Sequence, residues 1–169
     1  GASLSGAVYG WRRNPGVGQS VARCRAVTCY LLDVNLMLAL VDPMHVHHDV
    51  THHWFAATGQ HVWATCPIVE NGFVRIASHP QYPNRPGESA VVLGLLRQLC
   101  AHPGHTFWAD DVTLRDLLTP DAAFTHNHLA DLYLLGLAVS HGGKLATLDQ
   151  RIPISTVAGG DKAIEIIVP

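Results

Sequence analysis

From Tyr30 onward, short apolar runs of strand length alternate with longer apolar runs of helical character, and this alternation restricts the fold more than any other feature. Residues 30–34, 61–65, 105–109, 144–148 and 163–168 read as strands, the last at an edge of the sheet. Helices are expected over the apolar run to Val41, over 44–58 with Gly59 closing it, from Pro67 at a first helical position, over 88–101, over 113–118 and over 127–141 before Gly142 and Gly143. Pro43 stops the first of these, because proline disfavours helical geometry in the residue before it. Pro80, Pro83 and Pro86 mark 78–87 as a surface loop. Strands joined by helical crossovers form a parallel sheet covered on both faces. The expected class is therefore α/β, a three-layer α/β/α sandwich around a mostly parallel sheet of four to five strands.

The chain has 169 residues, 48% of them hydrophobic, which suits a single domain with a sizeable core. It holds no uninterrupted apolar run of membrane length and no export signal, so no membrane partner is expected and a cytoplasmic location is. Cys24, Cys29, Cys66 and Cys100 form no CxxC pair, in keeping with reduced thiols. Residues 1–28 lack clear periodicity and are set apart as an N-terminal extension of a domain spanning 29–169. Charge is unevenly placed: residues 30–169 carry 7 of the 11 Lys and Arg but all 13 Asp and Glu. An acidic body does not hold nucleic acid by bulk charge, so a phosphate-bearing substrate would need local basic groups, metal ions or a second chain.

Asp33 and Asp149 both end predicted strands, and in a parallel sheet all strands end on one edge, where ligands of open α/β folds bind. Glu70 and Asp131 lie in first turns of helices that begin at that edge. Taken singly, each acid reads as a turn or helix-start residue favoured by the helix dipole. Taken together, four carboxylates on one rim repel one another and call for a cation. Hard oxygen donors suit Mg²⁺ or Mn²⁺.

The runs Leu31-Leu32-Asp33-Val34-Asn35, residues 66–75 around Glu70, Leu129-Ala130-Asp131-Leu132 and Leu145-Ala146-Thr147-Leu148-Asp149 resemble PIN-domain ribonucleases, specifically VapC-type toxins of bacterial toxin-antitoxin pairs. The resemblance covers about residues 30 to 169 and is most specific in the Glu70 and Asp149 runs. It implies a PIN-like fold, RNA cleavage dependent on Mg²⁺ or Mn²⁺, a homodimer and an inhibitory VapB-like antitoxin. The family's catalytic and metal-binding acids carry over to Asp33, Glu70, Asp131 and Asp149, with Asn35 and Thr147 at flanking polar positions. The tail before Tyr30 departs from the family pattern.

Arg75, five residues after Glu70, and His128, three before Asp131, are candidate substrate contacts, with Arg97 and His126 as further ones. Twelve histidines are many for this length, and His45, His48 and His52 recur at helical spacing. That spacing suits zinc or nickel, but an exposed polar helix face is the favoured reading. Two other functions compete. A haloacid-dehalogenase-like phosphatase would use Asp33 as nucleophile, although Asn35 stands where a second Asp is wanted. A catalytically inactive PIN-like interaction module would keep the fold without cleaving RNA.

Overall fold

Five short strands, β1 (Tyr30–Leu32), β2 (Trp63–Thr65), β3 (His105–Phe107), β4 (Lys144–Thr147) and β5 (Ile164–Ile166), form one sheet in the order β3-β2-β1-β4-β5. Every neighbouring pair is parallel. The computed structural model describes residues 27–119 and 122–168; residues 1–26 of the N-terminal extension lie outside the described residues. The fifth strand is at an edge, as expected. Each strand is shorter than its apolar run, which extends beyond the strand at one end or both.

Six helices connect them: α1 (Val34–Val41), α2 (His48–Ala57), α3 (Pro67–Ala77), α4 (Ser89–Cys100), α5 (Leu114–Leu117) and α6 (Leu129–Ser140). Helix α1 packs on α2 and α3, and α3 on α4. Helix α6 packs on α5, on β1 and β4, and on the 3₁₀ turns Ile154–Thr156 and Gly160–Lys162. The crossovers β1 to β2 and β2 to β3 move one way along the sheet, whereas β3 to β4 and β4 to β5 move the other. Right-handed crossovers then place the two sets of helices on opposite faces, giving the expected PIN-like three-layer α/β/α sandwich.

The core lies between these layers. Leu31, Leu32, Trp63, Leu145 and Ala146 are buried in the strands, and α6 buries every side chain from 132 to 138. Each fully buried Leu stabilises the fold by about 1.5–3 kcal/mol, so α6 is the most heavily committed helix. It ends at Gly142, whose φ of 64° is the left-handed conformation that a β-carbon disfavours.

Two local readings change. Helix α2 begins at His48 and not at residue 44, because Asp42 starts an Asx turn by accepting the Met44 amide at 2.9 Å, and the His45 amide donates to the Asp42 carbonyl. Gly59 does not close α2 through a left-handed turn. It is buried, and a β-carbon there would come 2.7 Å from the Trp54 ring, so the close approach requires glycine.

The histidines also find a structural use. His48 Nδ1 and His52 Nε2 each lie 2.8 Å from a carbonyl oxygen of α1, those of Ala39 and Leu40. These are among the last carbonyls of α1, which no amide of its own helix satisfies. The loop 78–87 is tied to the same end of α1. Tyr82 donates its hydroxyl and Asn84 its amide to the buried Asp42 carboxylate. Burial opposes that charge, but Asn84, the Met44 amide and Tyr82 together hold the carboxyl below its ordinary range.

Candidate active site

The strand order reverses between β1 and β4, and the crevice at the carboxyl ends of two such strands is where open parallel sheets bind ligands. The register sets the contacts there. Leu32 pairs with Ala146, so Asp33 and Thr147 come next, side by side. The buried Thr147 hydroxyl donates to Asp33 Oδ2 at 2.8 Å and accepts the Asp149 amide at 3.1 Å. One hydroxyl therefore ties both strand-end acids together. Asp33 occupies the position before α1 but makes no side-chain capping bond. Its carboxylate lines the crevice, with the Val34 and Asn35 amides of α1 beside it.

Asp33 is only 4% exposed, and burial pushes its carboxyl above the ordinary range, against the Thr147 hydroxyl and the nearby Val34 and Asn35 amides. Asp131, in the first turn of α6, is raised to about 6, first by burial and then by the charges of Asp33 and Asp149. Asp149 moves the opposite way. The exposed Arg151 guanidinium, 3.2 Å from Asp149 Oδ1, holds that carboxyl below its ordinary range, and His128 adds to the effect. Three carboxylates thus share one site with one guanidinium, and two of them are held in a form that resists ionisation.

The site opens into two clefts that share Asn35. One, of about 460 Å³, has Asp33 and Asp131 on one side and Ile68, Asn71 and Arg75 of α3 on the other. Arg75 is exposed there and has no ion pair within 4.0 Å among the described residues. The second cleft, of about 570 Å³, lies between Asp149 and Arg151 and the turn carrying His45 and His47.

Glu70 is not in this group. Its helix starts at the expected edge, but Ile68, Asn71, Gly72, Arg75 and Ile76 face the crevice, and Gly72 lies against Val34. At 100° per residue, Glu70 is carried to the other side of α3. There its Oε1 accepts the Thr65 hydroxyl at 2.7 Å and lies 3.9 Å from Cys100 Sγ. Topology locates where a helix begins, and side-chain packing decides its rotation.

Asp110 lines the first cleft in its place. Burial and then Asp110 push the Cys66 thiol up to about 12, and the same two causes raise the Tyr133 hydroxyl to about 12. The sequence carried the signal for Asp110: it follows the predicted strand 105–109 directly, as Asp149 follows 144–148. Arg97 on α4 and the exposed His126 line neither cleft.

The arrangement agrees with what similar proteins are called. Over 134 residues the chain is 40% identical to Ribonuclease VapC44 of Mycobacterium tuberculosis, spanning 78% of this chain and 94% of that one. Over 131 residues it is 39% identical to Ribonuclease VapC39 of the same organism, spanning 76% and 94%. The chain belongs to the VapC ribonuclease family. Ribonuclease VapC38 of M. tuberculosis matches as well, 40% identical over 122 residues and covering 72% of this VapC chain and 86% of its own. The crystal structure of VapBC2 from Rickettsia felis bound to a DNA fragment from their promoter aligns with a TM-score of 0.46 and 13% identity, covering 75% of this chain and 94% of that one. No family model matches the chain. VapC membership sets aside the phosphatase alternative. No helix among the described residues of this VapC chain is long and apolar enough to cross a membrane.

Proposed function

We propose that this VapC chain is a metal-dependent endoribonuclease that hydrolyses RNA phosphodiesters at the crevice between β1 and β4, as the toxin of a pair with a VapB-like antitoxin. The observation that carries the metal site is a charge deficit. Asp33, Asp131 and Asp149 gather round one hydroxyl and one guanidinium, with Asp33 buried and Asp131 lifted to about 6. An all-oxygen donor set short of positive charge fits Mg²⁺ or Mn²⁺. Asp33, Asp131 and Asp149 would hold the ion, and Glu70, engaged with Thr65 and Cys100, is left out of the set.

When bound, a divalent ion supplies charge neutralisation and Lewis acidity toward a phosphodiester and an attacking water. The chain supplies the rest. Thr147 holds Asp33 and the Asp149 backbone in one geometry, so the acids need little reorganisation. Arg151 keeps Asp149 ionised. Arg75, unpaired on the cleft wall, is placed to take a non-bridging phosphate oxygen with its planar fork. Asn35, between the two clefts, is a positioning residue for RNA passing from one to the other, and His128 adds positive charge near Asp149 when protonated. Contacts of this kind engage the backbone and carry no sequence preference of their own.

The antitoxin, a homodimer and a cytoplasmic location belong to the same reading and rest on family membership. The test is cleavage of RNA by the purified chain with and without chelator. Wild type is expected to lose cleavage with chelator and regain it with Mg²⁺ or Mn²⁺. Asp33→Asn and Asp131→Asn should each remove at least about a hundredfold of the rate. Undiminished cleavage by both folded variants would sink the site, and folded wild type that binds the ion without cleaving RNA would favour the inactive module.

A further inference from the structure

The two clefts beside the acids differ in what their cations can do. The first holds the unpaired guanidinium of Arg75, whereas the second has Arg151 as its one Lys or Arg, already engaged. Arg151 Nε and Nη2 lie 3.2 and 3.5 Å from the Asp149 carboxylate, and the side chain is 87% exposed. Its donor edge is thus spent on Asp149, while the flat face of the guanidinium stays open. A phosphate entering the second cleft would find no free cation.

The other wall is a braced turn. The Met44 amide donates to Asp42 at 2.9 Å and the His47 amide to His45 Nδ1 at 3.2 Å, while Tyr82 and Asn84 hold the buried Asp42 carboxylate from behind. This turn presents Val46, 86% exposed, between two imidazoles whose centroids are 5.8 Å apart. Nδ1 of His45 is taken by the amide, and Nδ1 of His47 is sealed from solvent. Both rings therefore meet a ligand through Nε2 or their faces. Leu148 adds apolar surface, and Asn35 and Gln150 are exposed, with no hydrogen-bond partner for their side-chain amides among the described residues.

Imidazole and guanidinium planes, some apolar surface and free amides are what holds an unpaired RNA base. The base ring stacks on the planes, and its edge bonds to the amides. A cleft of about 570 Å³ has room for one base with its ribose. Asp149 belongs both to the acids and to this cleft, so the base is that of a nucleotide next to the phosphate held at the acids. We propose that the second cleft takes this base, stacked between the histidine turn and the Arg151 face, with Asn35 and Gln150 reading its edge. The proposal rests on the crevice being the RNA-cleavage site, and it adds the sequence preference that backbone contacts lack. It also requires single-stranded or looped RNA there, because a paired and stacked base offers neither face nor edge.

The test is binding of the full chain, in chelator and at one fixed salt concentration, to RNA octanucleotides of A, of C, of U and of mixed G and U, and to a base-free ribose-phosphate octamer. Fluorescence anisotropy gives the affinities. At least one RNA should bind about tenfold more tightly than the base-free chain. His47→Ala should erase most of that advantage, and Gln150→Ala should change the order of the bases. Arg75→Ala should weaken every octamer alike, the base-free one included, because its contact is to phosphate. Circular dichroism establishes that each variant is folded. Equal affinity for base-free and base-bearing chains overturns the proposal, as does an advantage unchanged in folded His47→Ala. If His47→Ala does not fold, an unchanged base order in the exposed Gln150→Ala variant overturns it. Cleavage with Mg²⁺ is followed in parallel: no cleavage with the base advantage intact counts against the active-site reading and not against the base pocket.

Discussion

Replacing Asp33 by Asn should stabilise the metal-free protein while abolishing its response to Mg²⁺. The carboxylate is 4% exposed, receives one side-chain hydrogen bond, from Thr147, and lies near Asp149. Burial of an ion in a real protein costs several kcal/mol, and the charge-assisted Thr147 bond, with the Val34 and Asn35 amides beside the carboxylate, returns part of it, about 1.5–3 kcal/mol for a well-made bond. Asn keeps the shape and can accept the Thr147 proton in a neutral bond of about 1 kcal/mol, while the desolvation cost and the repulsion disappear. The net gain at pH 7.5 is about 1–2 kcal/mol, or ~2–8 °C in melting temperature for a domain of this size. The sign follows from the raised carboxyl. Between the unfolded value of 3.8 and the higher folded one, the native state binds more protons, so wild-type stability falls as pH rises through that window. The variant escapes that loss, and its advantage should shrink when both proteins are melted near pH 4. Calorimetry in chelator at pH 4, 6 and 7.5, with and without Mg²⁺, provides the readout. The wild type should gain stability with Mg²⁺ by mass action and the variant should not. A variant less stable than wild type in chelator at pH 7.5, or an advantage independent of pH, would refute the view of Asp33 as an under-compensated buried charge.

Asp131 is raised to about 6 without metal and Asp33 is raised as well, and both must be ionised to hold a metal, so Mg²⁺ affinity should fall at least about tenfold per pH unit below 6; calorimetric titration from pH 5 to 8 checks this, and a flat profile contradicts it. Thr147→Val removes a buried donor shared by Asp33 and the Asp149 amide and should cost about 1–3 kcal/mol at neutral pH, read from urea unfolding. Arg75→Ala should raise KM for RNA about tenfold, with little change in Mg²⁺ affinity, because the guanidinium lines the cleft without pairing to the acids. Asp42→Ala should loosen the 78–87 loop by removing the acceptor shared by Tyr82 and Asn84, costing about 1–2 kcal/mol at pH 7. Since the Asp42 carboxyl is held below 3.8, that cost should lessen as pH falls through its folded value.

Much of the fold was legible because its causes are local or topological. The apolar runs, Pro43, Pro67 and Gly142 marked where elements begin and end, and alternation of strand and helix required a parallel sheet. A parallel sheet brings every strand end to one edge, which is why Asp33 and Asp149 were placed together without knowledge of any contact. Asp131 followed because its helix has to run back to feed β4. Within these limits the chain's order alone settles which ends of which elements meet.

Helix rotation and fine register are set by packing between distant residues, and no local pattern encodes them. Glu70 begins at the right edge, but the approach of Gly72 to Val34 turns it toward Thr65, Cys100 and His105. Asp110 enters the crevice instead, although the same strand-end logic applied to it. The histidines looked like ligands or solvent-facing polar groups until His48 and His52 were found on the last carbonyls of α1. What the sequence determined by itself was the sheet, its acidic edge and the chemistry available there. The tertiary structure alone decided which acids share a single hydroxyl, because that depends on a one-residue register between Leu32 and Ala146.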